Sequence, residues 1–197
     1  MIIFGASGHG KVIYDCAIAA GLEVTAFADS DPQKVGVLLN IPVVLEKEVS
    51  EEVDIILGIG DNRIRQKLAT QFLNKYQRVI HPSAILEENV LIGEGTVVFH
   101  GSIIQSSTKI GKHTIVNTAA TIDHDCMIED YVHIAPHATL CGGVTVGEGT
   151  FIGAGSTVIP NIKIGKWVTI GAGSVIIKDV PDGVTVVGNP GRIIKHE

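Results

Sequence analysis

Between residues 80 and 176 every sixth residue is aliphatic: Ile80, Leu86, Ile92, Val98, Ile104, Ile110, Val116, Ile122, Ile128, Ile134, Leu140, Val146, Ile152, Val158, Ile164, Ile170 and Ile176. The run has no insertion, and chance produces one this long about once in 10⁸ trials. Four residues after each aliphatic position stands a small or β-branched residue, as at Ala84, Thr96, Ser102, Ala120 and Cys126. Glycine often follows the aliphatic residue directly, as in Ile92-Gly93 and Ile152-Gly153. Period six fits neither the helical repeat nor the two-residue alternation of a strand. It fits a short strand ending in a sharp corner, with the aliphatic residue inward and the small residue filling space beside it. Three such strands close one triangular coil, so residues eighteen apart stack, with a rise of about 4.8 Å per coil.

This pattern resembles the left-handed parallel β-helix of the hexapeptide-repeat acyltransferases. That fold is therefore expected for residues 80–197, including a C-terminal tail, and acyl transfer is the chemistry the resemblance implies.

Residues 1–79 have another rhythm. Ile2-Ile3-Phe4 reads as a strand, followed by the glycine-rich turn Gly5-Ala6-Ser7-Gly8-His9-Gly10-Lys11 and a helix over residues 12–20. Further strands are expected over residues 23–28, 41–45 and 53–59, and Asp61 is placed to cap a helix whose apolar face carries Ile64, Leu68 and Phe72. The alternation predicts a small parallel, Rossmann-like α/β domain joined to the β-helix near His81-Pro82-Ser83.

A formal charge of −6 and a pI near 5.7 argue against a nucleic-acid surface. The N-terminus lacks the basic flank and length of a signal peptide, and no apolar run reaches membrane-spanning length. The three cysteines, Cys16, Cys126 and Cys141, form neither a CxxC pair nor an even framework, which suits a reducing cytoplasm.

The glycine turn can cradle phosphate, since glycines let backbone N–H groups approach and a helix start favours anions. Its spacing, G-x-x-G-x-G, is not the dinucleotide fingerprint. His9 and Lys11 add donors for a diphosphate, and Asp29 stands at the end of the second strand, where ribose-binding carboxylates occur. Gly8-His9-Gly10-Lys11-Val12, Ala28-Asp29-Ser30-Asp31-Pro32 and Gly60-Asp61-Asn62-Arg63 resemble the N-terminal domain of bacterial sugar O- and N-acetyltransferases. That group spans sialic acid O-acetyltransferases and nucleotide-amino-sugar N-acetyltransferases. Ser7 departs from it, standing where glycine is usual. By this resemblance Ser7, Gly8, His9, Gly10, Lys11, Asp29 and Asp31 hold the nucleotide of an activated sugar, with Asn62 and Arg63 as further candidates.

Beyond the joint at His81, the hexads hold five of the eight histidines: His100, His113, His124, His133 and His137. No two of them stand five apart, the spacing of zinc ligands in hexapeptide-repeat carbonic anhydrases, so no metal is expected. His124 occupies the third place of the hexad Ile122-Asp123-His124-Asp125-Cys126-Met127 and therefore points outward. Gly142 and Gly143 stand one coil later, above His124 and Asp125, leaving a notch where a thioester can meet backbone N–H groups. Histidine titrates near neutrality and can take a proton from an attacking amine or hydroxyl, with Asp125 or Asp123 orienting the ring. The segment His124-Asp125-Cys126, followed by His133-Ile134-Ala135-Pro136, matches the catalytic segment of the same family, whose histidine is the base. Cys126 sits at a small-residue position and reads as filler.

His133 stacks with Val97, Ile115, Phe151 and Thr169 at eighteen-residue intervals, a largely apolar outward stripe expected to be covered by another subunit. The resemblance implies a homotrimer with acetyl-CoA between neighbouring β-helices. It places His133, Asn117, Gly142 and Gly143 along that donor, with Arg192 of the tail near the CoA phosphates and Lys178 and Lys195 as further candidates there. The expected function is acetyl transfer from acetyl-CoA to the amine of a UDP- or GDP-linked amino sugar. O-acetylation of a sugar such as sialic acid, a zinc carbonic anhydrase and a non-catalytic nucleotide-binding scaffold are the alternatives.

Overall fold

The computed structural model of the chain describes residues 1–196. The hexads build a parallel β-helix of two-residue strands, each paired with the strand eighteen residues away: Val97–Val98 on Ile115–Val116, and Ile115–Val116 on His133–Ile134. Three faces result. The first begins at Val79–Ile80, the second at Ile85–Leu86 and the third at Leu91–Ile92. From Val98 onward every aliphatic hexad position is buried in one core, while Ile80, Leu86 and Ile92 at the open end are partly buried. The small-residue positions carry hydroxyls without leaving them unpaired. Thr96, Ser102 and Thr108 donate to the carbonyls of Gly111, Asn117 and Asp123, each at 2.8 Å.

The first domain holds the strands β1 (Ile2–Phe4), β2 (Ala26–Asp29), β3 (Gly36–Leu38), β4 (Ile41–Leu45) and β5 (Ile55–Leu57), in the sheet order β3-β4-β2-β1-β5. Four strands are parallel as expected, but β3 pairs antiparallel with β4, so the sheet is mixed. The turn between them is Leu39-Asn40, both at positive φ (50° and 62°), the geometry of a two-residue hairpin. A leucine in that conformation carries no turn signal, which is why the strand was not legible.

Helix α1 (Gly8–Ala19) starts inside the glycine turn rather than at Val12. A Cβ on Gly10 would collide with the Gly5 carbonyl oxygen, so glycine lets the helix cross the strand ends at contact distance. Helix α2 (Asn62–Gln71) is capped as expected, Asp61 Oδ1 accepting from the Ile64 N–H at 2.8 Å. Its buried residues, however, are Asn62 and Arg65, and Ile64 is 52% exposed.

That difference has a cause. The two domains pack on each other through Ile3, Ile13, Cys16 and Ala17 on one side and Val79, Val97, Phe99 and Ile115 on the other. The stripe expected to be covered by another subunit is therefore covered, over Val97, Ile115 and His133, by the chain's own first domain; these three are 1%, 1% and 9% exposed. An apolar stripe announces that something covers it but not what does so. Full burial of a valine, isoleucine or phenylalanine side chain is worth about 1.5–3 kcal/mol, part of which this docking supplies. Only Phe151 and Thr169, further along the first face, remain partly open.

Candidate active site

Residues 123–126 form a corner between the second and third faces. Asp123 Oδ1 accepts from the His124 N–H at 2.8 Å, and Asp125, at φ 60°, donates its N–H to the Ser106 carbonyl at 3.0 Å. These bonds fix the corner and leave the imidazole outside it. The ring Nδ1 lies 2.7 Å from Asp125 Oδ2, so Asp125 orients the ring while Asp123 holds the backbone. The Asp125 hydrogen bond and then the Asp123 charge hold the imidazolium above the ordinary histidine pKa. In the neutral ring Nδ1–H donates to Asp125, and the Nε2 lone pair is left for a substrate proton.

Gly142 lies against that ring. A Cβ there would stand 2.6 Å from His124 Cε1 and 2.7 Å from Nε2. Its N–H donates to nothing among the described residues, whereas the Gly143 N–H is taken by the His124 carbonyl at 2.9 Å. Pro160 and Asn161, one coil further, close a cavity of about 210 Å³ with Asp123, His124, Asp125, Gly142 and Gly143. A proton acceptor and an unpaired backbone donor thus share one notch, as acyl transfer requires. Cys126 is buried beneath it, its thiol pushed up to about 11 by burial, and its Sγ lies 3.3 Å from the Cys141 carbonyl oxygen. It is filler, as read from its hexad position.

His133 stands elsewhere. Its Nδ1 lies 3.3 Å from the Gly60 carbonyl oxygen and its Nε2 3.1 Å from Asn117 Nδ2. Burial, then Arg65 and His9, push its pKa down to about 3. The ring is therefore neutral, donating to Gly60 and accepting from Asn117. In a triangular coil the 123–126 corner is opposite the first face. Asn117 and His133 are thus brought to each other but not, within one chain, to His124, Gly142 and Gly143.

In the first domain Ser7, Gly8 and Lys11 are exposed at the start of α1. His9 turns the other way. Its ring packs edge-on against Phe99 at 5.6 Å, its Nε2 is buried without a hydrogen-bond partner, and burial followed by Arg65 lowers its pKa to about 4. Asp29 is 7% exposed and serves the loop itself. Its carboxylate accepts from the Ala6 N–H at 2.9 Å, the Asp31 N–H at 3.0 Å and Lys34 Nζ at 2.8 Å. Burial raises its pKa, but these three donors outweigh it and the carboxyl titrates below its ordinary value. Asp31 caps the next turn by accepting from the Gln33 N–H. At the far end of the β-helix Lys178 and Arg192 line one cavity of about 310 Å³, whereas Lys195 lies across from Thr185 on the closing strand.

Sequence reasoning missed Arg65 and His113. Arg65 is 1% exposed, a cation surrounded by carbonyl oxygens of both domains. Burial, opposed by Asp61 and Tyr131, lowers its pKa to about 9. His113 is wedged between Tyr76 and Tyr131, with ring centroids 4.5 and 5.3 Å away. Nothing in the local pattern marks Arg65, because its partners are distant in the chain; for His113 the eighteen-residue period stacks Tyr131 on it, but Tyr76 lies outside the repeat.

Residues 1–72 match the PglD N-terminal domain family, and residues 143–178 match the bacterial transferase hexapeptide (six repeats) family. PerB from Caulobacter crescentus, solved with CoA and GDP-perosamine, is 38% identical with a TM-score of 0.91 over 98% of this chain and 96% of its own. The acetyltransferase domain of PglB from Neisseria gonorrhoeae, solved with acetyl coenzyme A, is 37% identical with a TM-score of 0.92 over 98% of both chains. The UDP-N-acetylbacillosamine N-acetyltransferase of Bacillus subtilis (strain 168) is 42% identical over 107 residues, 49% of either chain, so the match spans about half the length of that relative. With its PglD-type first domain, its hexapeptide β-helix and its full-length likeness to the two solved structures, the chain belongs to the bacterial sugar acetyltransferases of the hexapeptide-repeat family.

Proposed function

We propose that this protein transfers acetyl from acetyl-CoA to the amine of a nucleotide-linked amino sugar. The observation that carries the reading is the His124 Nε2 lone pair standing beside the unpaired Gly142 N–H in one open notch. The amine nitrogen attacks the thioester carbon, and His124 Nε2 takes the proton the nitrogen loses. The Gly142 N–H receives the developing oxyanion. Collapse of the tetrahedral intermediate breaks the C–S bond, and the imidazolium returns its proton to the CoA thiolate.

The first domain binds the nucleotide through the exposed Ser7–Gly8 turn, the α1 N-terminus and Lys11, with Gly10 and the Asp29–Asp31 segment shaping the loop and His9 on its inner side. Relatives solved with GDP-perosamine and with CoA support both substrates, and the matched Bacillus relative, named for a UDP-linked sugar, keeps UDP open beside GDP. Arg192 and Lys178 face the CoA phosphates. Because the first domain and His124 lie on opposite sides of the coil, one copy's acceptor reaches the His124 of a neighbour. Asn117 and His133 then border the acetyl donor from the acceptor's side. Such head-to-tail contact closes into a ring, and three copies are the number we assign. Among the described residues no helix is long and apolar enough to cross a membrane, and the three cysteines are free. We place the enzyme in the cytoplasm, where thiols stay reduced.

The test is thiol release from acetyl-CoA over UDP-, GDP- and dTDP-amino sugars, CMP-sialic acid and free sialic acid. Turnover with a nucleotide-linked amine is expected. Efficient acetylation of an unactivated sugar alone, with no nucleoside diphosphate bound, overturns the reading in favour of O-acetylation.

A further inference from the structure

Three carbonyls at the corner between the third and first faces belong to residues exactly one coil apart: His113, Tyr131 and Gly149. All three are gripped by two side chains of α2. Arg65 Nε donates to the His113 oxygen at 2.7 Å and Arg65 Nη2 to the Tyr131 oxygen at 2.8 Å. Asn62 Nδ2 donates to the Gly149 oxygen at 3.0 Å, and its Oδ1 accepts from Arg65 Nη2 at 2.8 Å, so the two act as one unit. The remaining guanidinium nitrogen, Nη1, turns back to the Ile59 and Gly60 carbonyls at 3.0 and 3.2 Å. Gly60 is also the acceptor for His133 Nδ1. It closes the loop after β5, on the strand-end edge of the sheet where Gly8 and Asp29 also stand.

The apolar patch beneath the first domain is adhesive but has no direction, so by itself it lets the domain rock. Three hydrogen-bonded rungs spread over two coil rises, about 10 Å, fix height and tilt together. A buried cation satisfied only by oriented carbonyls is costly to move, since any shift leaves a donor or acceptor unpaired in the interior.

We propose that Arg65 and Asn62 are positioning residues, a clasp that sets the height and tilt of the first domain on the β-helix and thereby the point at which the acceptor amine meets a neighbouring copy's His124. This rests on the reading that the first domain carries the acceptor. A tilt that moves the amine by about 1 Å costs about 10²-fold in rate without touching either binding site.

The experiment compares Asn62→Ala, Arg65→Lys and Arg65→Met with the wild type on two acceptors. One is the nucleotide-linked amino sugar; the other is the same amino sugar without its nucleotide, at high concentration. For Asn62→Ala, kcat with the linked acceptor is expected to fall 10- to 100-fold. The Asn62 amide is engaged by the β-helix carbonyls and Arg65 and not turned to the nucleotide the resemblance assigned it, so UDP or GDP affinity, acetyl-CoA affinity and transfer to the free amino sugar should stay within twofold. Arg65→Lys should recover part of what Arg65→Met loses. A parallel fall on both acceptors, or no fall on the linked one, overturns the proposal.

If the wild type acetylates no nucleotide-linked amine, the proposed function has failed on its own, and hydrogen exchange judges the clasp. Asn62→Ala should then raise amide exchange in α2 at least tenfold over that of β1 and β5; equal exchange overturns it.

Discussion

Replacing Gly142 with alanine separates catalysis from folding. The Gly142 backbone is not at positive φ, so alanine meets no conformational penalty, and Gly→Ala at such a site stabilises a protein by about 0.4–1 kcal/mol through the unfolded chain. The three atoms nearest the new methyl all belong to the His124 ring, at 2.6, 2.7 and 3.2 Å. Ordinary carbon contact begins at about 3.5 Å, so the ring must retreat by about 1 Å. The His124 side chain is 59% exposed and free to swing, which breaks the 2.7 Å bond to Asp125 rather than the coil. Misplacing a base by about 1 Å costs about 10²-fold in kcat, or about 2.7 kcal/mol of barrier. Initial rates of thiol release and a thermal melt on the same preparation read both quantities. We expect kcat to fall about 100-fold with Tm unchanged or slightly raised. A kcat within threefold of wild type, or a Tm lowered by more than about 5 °C, refutes the stacking argument. Gly143, at φ 71°, supplies the contrast: alanine there strains the backbone and should lower Tm.

Two further outcomes concern pH. His124 must be neutral to act, and Asp125 raises its pKa, so kcat/KM falls as pH drops below that raised value; Asp125→Asn should move this acid limb to lower pH while reducing the maximal rate. His9, His113 and His133 are depressed below the ordinary 6.5, to about 4, 4 and 3, chiefly by burial between the domains. Their unfolded forms bind protons first on acidification, so the stability they contribute is complete above about pH 6.5 and is lost as pH falls toward 4. Thermal melts across that window should show a steady fall in Tm, and a flat profile contradicts the assigned burial.

The hexads were legible because each repeats the same local bargain, one inward aliphatic and one small neighbour, with no need of distant information. The same arithmetic placed Gly142 on His124, since residues eighteen apart must stack once three strands make a coil. What lay beyond it was contact between parts unrelated by the period. Arg65 meets His113 and Tyr131, 48 and 66 residues away, and no spacing in α2 hints at carbonyls as partners for an arginine. The stripe of Val97, Ile115 and His133 was read correctly as needing cover, but the cover came from α1, from the loop after β5 and from Arg65 of α2 in the same chain. His9 and Asp29 were found by motif, yet the turn at Gly8 sends one ring inward and spends the other side chain on holding the loop. In each case the residue type was visible, while its direction depended on how the two domains dock.

The central claim is that His124 removes a proton from the acceptor amine in the step that moves the acetyl group. It is tested most directly by single-turnover acetyl transfer from acetyl-CoA to a UDP- or GDP-linked amino sugar in His124→Ala, with acetyl-CoA affinity measured by calorimetry on the same protein. Only proton removal is lost, so the rate should fall by about 10²–10⁴ while acetyl-CoA affinity stays within twofold. Near-normal transfer by His124→Ala, together with an inactive His133→Ala, contradicts the account and gives the base role to the buried histidine of the first face.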